Sequence, residues 1–173
     1  RKLAARGLKV DRELRDGERV PLRGARGEED FVLTVHHTPG HARGHVALFA
    51  EASRSLIAGD LVAGLGTIVI DPPEGDMDDY LHSLERMVAL APQTLFPAHG
   101  PALDDGTARL RALIQHRLAR EAKVLAAWQR GLRRPAEMVE EVYADAPQAS
   151  RLLARRQIRA HLDRLKRRGE LDS

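Results

Sequence analysis

Short apolar bursts, each the length of a strand, occupy the earlier part of the chain before the pattern changes to a helical rhythm. Positions 31–36, 46–50, 55–58 and 94–96 are rich in β-branched, aromatic and aliphatic residues. Each is bounded by turn residues and predicts a strand. Thr38-Pro39-Gly40 closes the first, the polar turn from Glu51 to Arg54 joins the second to the third, and Pro97 closes the fourth. Between the third and fourth the period becomes 3.6. Leu81, Leu84, Val88 and Ala91 form the stripe of a helix over 77–90, which Asp76 caps and Pro92 ends. Asp78 and Asp79 suit the first turn of that helix, where its dipole favours acids.

A longer helix follows over 107–129. Leu110, Leu113, Ile114, Leu125 and Trp128 share one side, with Arg117 and Glu121 inside the same stripe. Four residues apart, these two are expected to pair. His116, Arg120 and Lys123 lie on the flank, either as helix surface or, if the flank overhangs a site, as contacts to an anionic substrate. From Arg133 the pattern becomes shorter helices over 135–144 and 150–168, stopped by Gly169. Leu152, Ile158, Leu162 and Leu165 are expected to face inward. Arg155, Arg156, Arg159, Arg164, Lys166, Arg167 and Arg168 are expected to form a basic exterior. The first twenty residues are charged and turn-like, with no nucleating apolar cluster. The expected organisation is one domain over 1–130 and a small helical domain over 131–173.

Charge sharpens this division. Residues 1–104 carry 12 basic and 16 acidic side chains, and 105–173 carry 16 and 9, so the two parts stand at −4 and +7. A basic helical tail is consistent with an ordinary solvated face or with nucleic acid as a partner. Cysteine is absent, which fits a reducing compartment and leads us to expect a cytoplasmic protein. No apolar run approaches the roughly 20 residues of a membrane span, so no membrane partner is expected.

The residues that carry chemistry sit where the predicted strands end. T-P-G-H ends at His41, A-G-D ends at Asp60 and P-A-H-G contains His99. Imidazole and carboxylate suit a borderline divalent ion such as zinc, and strand ends hold such groups still while leaving room for substrate. The chain contains no G-x-S-x-G nucleophile elbow, so nothing points to a covalent serine or cysteine route.

In that order the three signatures resemble the third, fourth and fifth metal motifs of the metallo-β-lactamase superfamily. The stretch G-T-I-V-I-D-P-P-E-G-D-M-D-D-Y-L-H-S-L from Gly66 to Leu84, and H-R-L-A-R-E from His116 to Glu121, are similar to segments of its beta-lactamase-like protein 2 group. The run H-L-D-R-L-K-R-R-G-E-L near the end resembles the last helix and first wing strand of a winged helix. The resemblance implies an α/β fold: the C-terminal half of an αββα sandwich followed by a small winged-helix-like helical domain with a truncated wing. It implies that His41 binds one metal ion, His99 a second, and Asp60 bridges them, while His45 supports the ligands. It tilts His116, with Arg120, toward substrate binding.

The superfamily's first motif, H-x-H-x-D-H, does not occur in these 173 residues. We therefore expect an N-terminal half, carrying that motif and one sheet of the sandwich, upstream of Arg1. The function implied is that of a metal-dependent hydrolase, in which a hydroxide between two zinc ions attacks an ester, thioester or phosphodiester. With two protein ligands per ion, zinc binding by this chain alone is expected to be weak or absent, and turnover with it. The alternatives are a nucleic-acid-binding module and a single-stranded RNA endonuclease. The sheet face that a missing half would leave open is expected to make this chain poorly soluble or self-associating.

Overall fold

The strands form where the apolar bursts lie, and their pairing follows from short turns between them. In the computed structural model, which describes residues 11–24, 31–146 and 150–172, five strands make one sheet in chain order: β1 (Arg19–Leu22), β2 (Phe31–His37), β3 (Val46–Ala50), β4 (Ser55–Gly59) and β5 (Thr94–Pro97). The first four are antiparallel neighbours. β5 returns parallel to β4 after the crossover helix α1 (Met77–Ala89). Then come α2 (Gly106–Gln129), α3 (Pro135–Val142) and α4 (Arg151–Arg167). The expected turn at Pro147 and everything before Asp11 lie outside the described residues. β1 corrects the reading of the first twenty residues as turn-like only. It is an exposed edge strand containing Pro21, whose missing N–H is tolerated at a sheet edge.

The helices cover one face of the sheet. Ala47, Phe49, Leu56, Ala58 and Leu95 point from it into a core completed by Tyr80, Leu84 and Met87 of α1 and Leu110 of α2. α1 starts where the sequence predicts: the Asp76 carboxylate accepts from the amides of Asp78 at 2.8 Å and Asp79 at 3.1 Å. Its stripe is shifted from the expected one. Tyr80, Leu81, Leu84 and Met87 are buried, whereas Ala91 lies exposed beyond the helix end at a positive φ of 48°. The Arg54 guanidinium takes the carbonyls of Leu90 and Ala91 at that end.

A second core gathers Val124 and Ala127 of α2, Met138, Val139 and Val142 of α3, and Ala154, Ile158 and Leu165 of α4. The long helix α2 thus serves both cores. Two expectations about α4 are overturned: Leu152 is 58% exposed, and Arg164, expected outside, is buried. The helix is rotated so that Gln157, His161 and Arg164 face inward with Ile158 and Leu165. Among the described residues no helix is long and apolar enough to cross a membrane.

Candidate metal centre

The loops leaving β2, β4 and β5 bring three side chains together. The Asp60 carboxylate lies between two imidazoles, with Oδ2 3.8 Å from His41 Nε2 and Oδ1 3.5 Å from His99 Nε2. These spacings are too long for hydrogen bonds. They approximate the edge of about 3.4 Å between neighbouring ligands of a tetrahedral ion with bonds of roughly 2.1 Å. The arrangement therefore fits one carboxylate shared between two ions, each also taking one histidine. Among the described residues no three His, Cys, Asp or Glu side chains converge on a single ion. The donor types and spacing suit a metal pair, but two protein ligands for each ion fall short of the three or four usual for zinc.

Local sequence explains why these groups meet. Gly40, at a φ of +133°, lies so close to α1 that a Cβ there would fall 2.3 Å from the Tyr80 Cα. Its carbonyl accepts from the Asp76 amide at 2.8 Å, and Pro39 accepts from Ser83 Oγ at 2.7 Å, so the T-P-G-H turn is bound to the start of α1. Gly59 adopts a φ of +54°, and a Cβ on it would meet His45 Nε2 at 2.7 Å. The glycine of A-G-D makes room for the His45 ring beside Asp60. Behind His99, the Gly64 amide donates to the His99 carbonyl at 2.8 Å, and Gly64 and Gly100 pass in backbone contact.

Hydrogen bonds around these side chains assign tautomers. The Asp60 amide donates to His45 Nε2 at 3.0 Å, so the proton of a neutral His45 ring resides on Nδ1. That proton is received by Thr38, with Oγ1 at 2.8 Å and its carbonyl at 3.1 Å. Burial holds the His45 pKa below its ordinary value, which keeps the ring an acceptor for the Asp60 amide. His41 donates from Nδ1 to the Val69 carbonyl at 2.8 Å, which leaves Nε2 facing Asp60.

The residues expected to touch substrate, His116 and Arg120, both lie on α2. Arg120, expected on the flank of α2, is buried. It stacks 4.3 Å from the Tyr143 ring centroid and donates to the Val142 carbonyl and to Asp145 Oδ1, the latter at 2.7 Å. Lys123 holds the other Asp145 oxygen at 2.7 Å. Together Lys123 and Arg120 depress the Asp145 carboxyl well below the usual range. His116 is exposed beside this cluster, its pKa lowered by partial burial and by Arg117 and Arg120.

Arg117 and Glu121 are both buried, as the stripe predicts, but their partners differ from the expected pair. Arg117 donates to the Ile68 carbonyl and lies 5.1 Å from the Tyr80 ring centroid, whereas Glu121 engages Arg164 and His161 of α4. Sequence reasoning missed Val69, whose backbone carbonyl carries no sequence signal. It also missed Gln157, whose signal was a polar residue within the apolar period of α4.

A strand-end His–Asp–His set on a sheet with helices on one face, followed by a helical module, defines the class of protein. Residues 3–99 match the metallo-beta-lactamase superfamily, and the chain belongs to it. Residues 135–172 match the beta-lactamase associated winged helix domain. The fold is accordingly a metallo-β-lactamase-type α/β domain followed by a winged-helix domain, and the superfamily is generally one of metal-dependent hydrolases. The chain is 30% identical over 159 residues to a beta-lactamase-like protein 2 homolog of Caenorhabditis elegans, covering 91% of this chain and 50% of the relative. It is 28% identical to an atrochrysone carboxyl ACP thioesterase of Aspergillus chevalieri, covering 79% and 44%. The crystal structure of a beta-lactamase domain protein from Burkholderia ambifaria superposes with a TM-score of 0.78 at 28% identity, over 92% of this chain and 48% of that one. The chain thus spans about half the length of these three proteins.

Proposed function

We propose that this protein hydrolyses a carboxylic ester or thioester at a two-zinc centre to which this chain contributes His41, Asp60 and His99. One observation carries the reading. The two oxygens of Asp60 face two different imidazoles at 3.8 and 3.5 Å, as a carboxylate shared between ions would. When bound, such ions activate water near neutral pH and polarise the substrate oxygen. The chain's own groups then have defined tasks. His41 and His99 each offer one ring nitrogen, Asp60 fixes their separation, and His45 with Thr38 holds the Asp60 backbone.

The preference for a carboxylic substrate over RNA rests on the basic helix. Of its exterior cations, Arg156 pairs with Asp71 at 3.0 Å, Arg167 with Asp76 and Asp78 at 2.9 and 2.7 Å, and Arg168 with Glu170 at 2.5 Å. Cations engaged in this way are poorly available to neutralise phosphates. The thioesterase named among the relatives is consistent with a thioester. The second reading, contact with single-stranded RNA as substrate or ligand, is favoured by the +7 charge of residues 105–173.

The test uses the natural protein containing this sequence, loaded with zinc and offered aryl esters, acyl thioesters and single-stranded RNA. Ester or thioester hydrolysis that falls to background in Asp60→Asn, with RNA left intact, is expected. RNA cleavage without ester or thioester turnover would overturn the substrate class. Full activity in Asp60→Asn would overturn the site. RNA filter binding across a salt series is expected to show a shallow slope, whereas a steep one would favour the second reading.

A further inference from the structure

The segment between β4 and α1 separates the candidate metal ligands from the C-terminal module, and its backbone is held from both sides. On one side Gln157, a buried residue of α4, spans two peptide groups. Its Nε2 donates to the Ile68 carbonyl at 2.9 Å and its Oε1 accepts from the Ile70 amide at 3.4 Å. Arg117 of α2 reaches the same Ile68 carbonyl. On the other side the intervening Val69 carbonyl accepts from His41 Nδ1 at 2.8 Å. This is the alternation that extended backbone imposes: the carbonyl of one residue and the amide two residues on point one way, and the carbonyl between them points the other. A side-chain amide supplies both a donor and an acceptor at one end of a flexible chain, so it can make the two-point contact a neighbouring strand would make.

We propose that Gln157 is a positioning residue for His41. Through Ile68-Val69-Ile70 it aims the Val69 carbonyl, and the carbonyl sets the tautomer and rotation of the His41 ring. The inference rests on the reading of His41 as a metal ligand. It gives the winged-helix domain a part in building the metal centre, beyond packing or partner binding. Physical cause and direction are clear. A ligating histidine is oriented by the acceptor of its other ring nitrogen, and losing such outer partners costs metal affinity about 10- to 100-fold. Without the Gln157 grip, among the described residues Arg117 alone holds the Ile68 carbonyl, no partner remains for the Ile70 amide, and the Val69 carbonyl is less constrained. α4 is otherwise well anchored on this side, by Arg156 to Asp71 and by Arg167 to Asp76 and Asp78. Removing the amide therefore need not undock the helix.

The test compares Gln157→Met, of similar length but without hydrogen bonds, with Gln157→Glu, which keeps the acceptor for Ile70 but loses the donor to Ile68. Ile158→Val serves as a control that loosens α4 without touching the segment. Three readouts apply, all in the natural protein containing this sequence: the ring-nitrogen NMR signals of His41 without metal, hydrogen exchange of the Ile70 amide, and cobalt affinity. Wild type is expected to hold His41 as the Nδ1–H tautomer. Gln157→Met is expected to lose that preference, to expose the Ile70 amide and to weaken cobalt binding about tenfold, with Gln157→Glu in between. Ile158→Val is expected to melt earlier and leave the His41 signals and cobalt affinity unchanged. Folded Gln157→Met or Gln157→Glu protein with wild-type His41 signals would overturn the proposal, as would a wild-type His41 protonated on Nε2. Unchanged cobalt binding in His41→Ala would instead overturn the ligand reading, and the metal-free NMR signals would still decide the link from Gln157 to His41.

Discussion

Gly59 illustrates how a single residue sets the candidate centre. Its φ of +54° is a left-handed conformation, and the His45 ring occupies the space a side chain would need, with Nε2 2.7 Å from an ideal Cβ. Gly59→Ala therefore combines backbone strain with a clash against the group that holds the Asp60 amide. We expect a loss of about 1–2 kcal/mol in urea unfolding from the backbone alone. The His45 ring resonances should shift at the same time; alanine at wild-type stability would contradict the geometry. His161 makes a second prediction at this scale. It is fully buried, faces Glu121, Arg164 and Arg117 with His116 nearby, and among the described residues has no partner for Nε2. Burial lowers its pKa, so the folded state favours the neutral ring while the unfolded chain takes up a proton near the ordinary value of about 6.5. The folded state then binds fewer protons than the unfolded one, and stability rises with pH. The contribution is present above about pH 6.5 and is lost as the pH falls below it. Urea midpoints should drop between pH 7 and pH 5. His161→Gln, which does not titrate, should flatten part of that slope and leave the part due to His36, His45 and His116, whose pKa values are lowered in the same direction.

Among elements, α4 departs furthest from its sequence pattern, and the reason is physical. The strands and the Asp76 cap were legible because their signals are local: apolar bursts between turns, and an acid directly ahead of a helix. The meeting of His41, Asp60 and His99 was foreshadowed for the same reason, since each follows its own strand and the three strands lie in one sheet. The rotation of α4 depends on what its neighbours offer, and α2 offers a buried acid. Glu121 draws Arg164 and His161 inward and Asp78 of α1 lies 2.7 Å from Arg164, so polar residues occupy positions that hydropathy assigns to the surface. Leu152, assigned to the interior, is left outside. Arg164→Met should cost about 3–5 kcal/mol, because it leaves a buried carboxylate with His161 as its remaining hydrogen-bond partner among the described residues. Glu121→Met combined with Arg164→Met should recover most of that loss, because a buried pair exchanged as a whole for apolar side chains is often close to neutral. A double-mutant cycle by urea unfolding measures both. A single Arg164→Met variant near wild-type stability would show that the pair is not the anchor of this helix.

At the scale of the whole molecule, the strands carry more apolar surface than one layer of helices can cover. Runs such as Phe31-Val32-Leu33 and Leu56-Ile57-Ala58 are apolar on both sides of the sheet, a pattern typical of strands covered on both faces. The register places Leu48 opposite both Val35 and Ile57, and Ile57 beside Phe96, on the face away from α1 and α2. There Phe31 is 45%, Ile57 43% and Phe96 44% exposed. With Leu33, Val32 and the turn at Glu51 to Ser53 they line an open groove of about 800 Å³. An exposed apolar surface of this kind favours association in water. The 173-residue chain is therefore expected to self-associate as its concentration rises, by pairing these faces between copies. Phe31→Lys with Phe96→Lys would place two charges on each face and oppose the pairing by desolvation and like-charge repulsion. Both side chains are already solvent-accessible, so the fold and its helix-side core should be preserved. Light scattering across a dilution series should show a mass that grows with concentration for the wild-type chain and stays at one chain for the double variant. A wild-type chain that remains monomeric throughout would show that the groove is tolerated in water and that its apolar residues do not drive association.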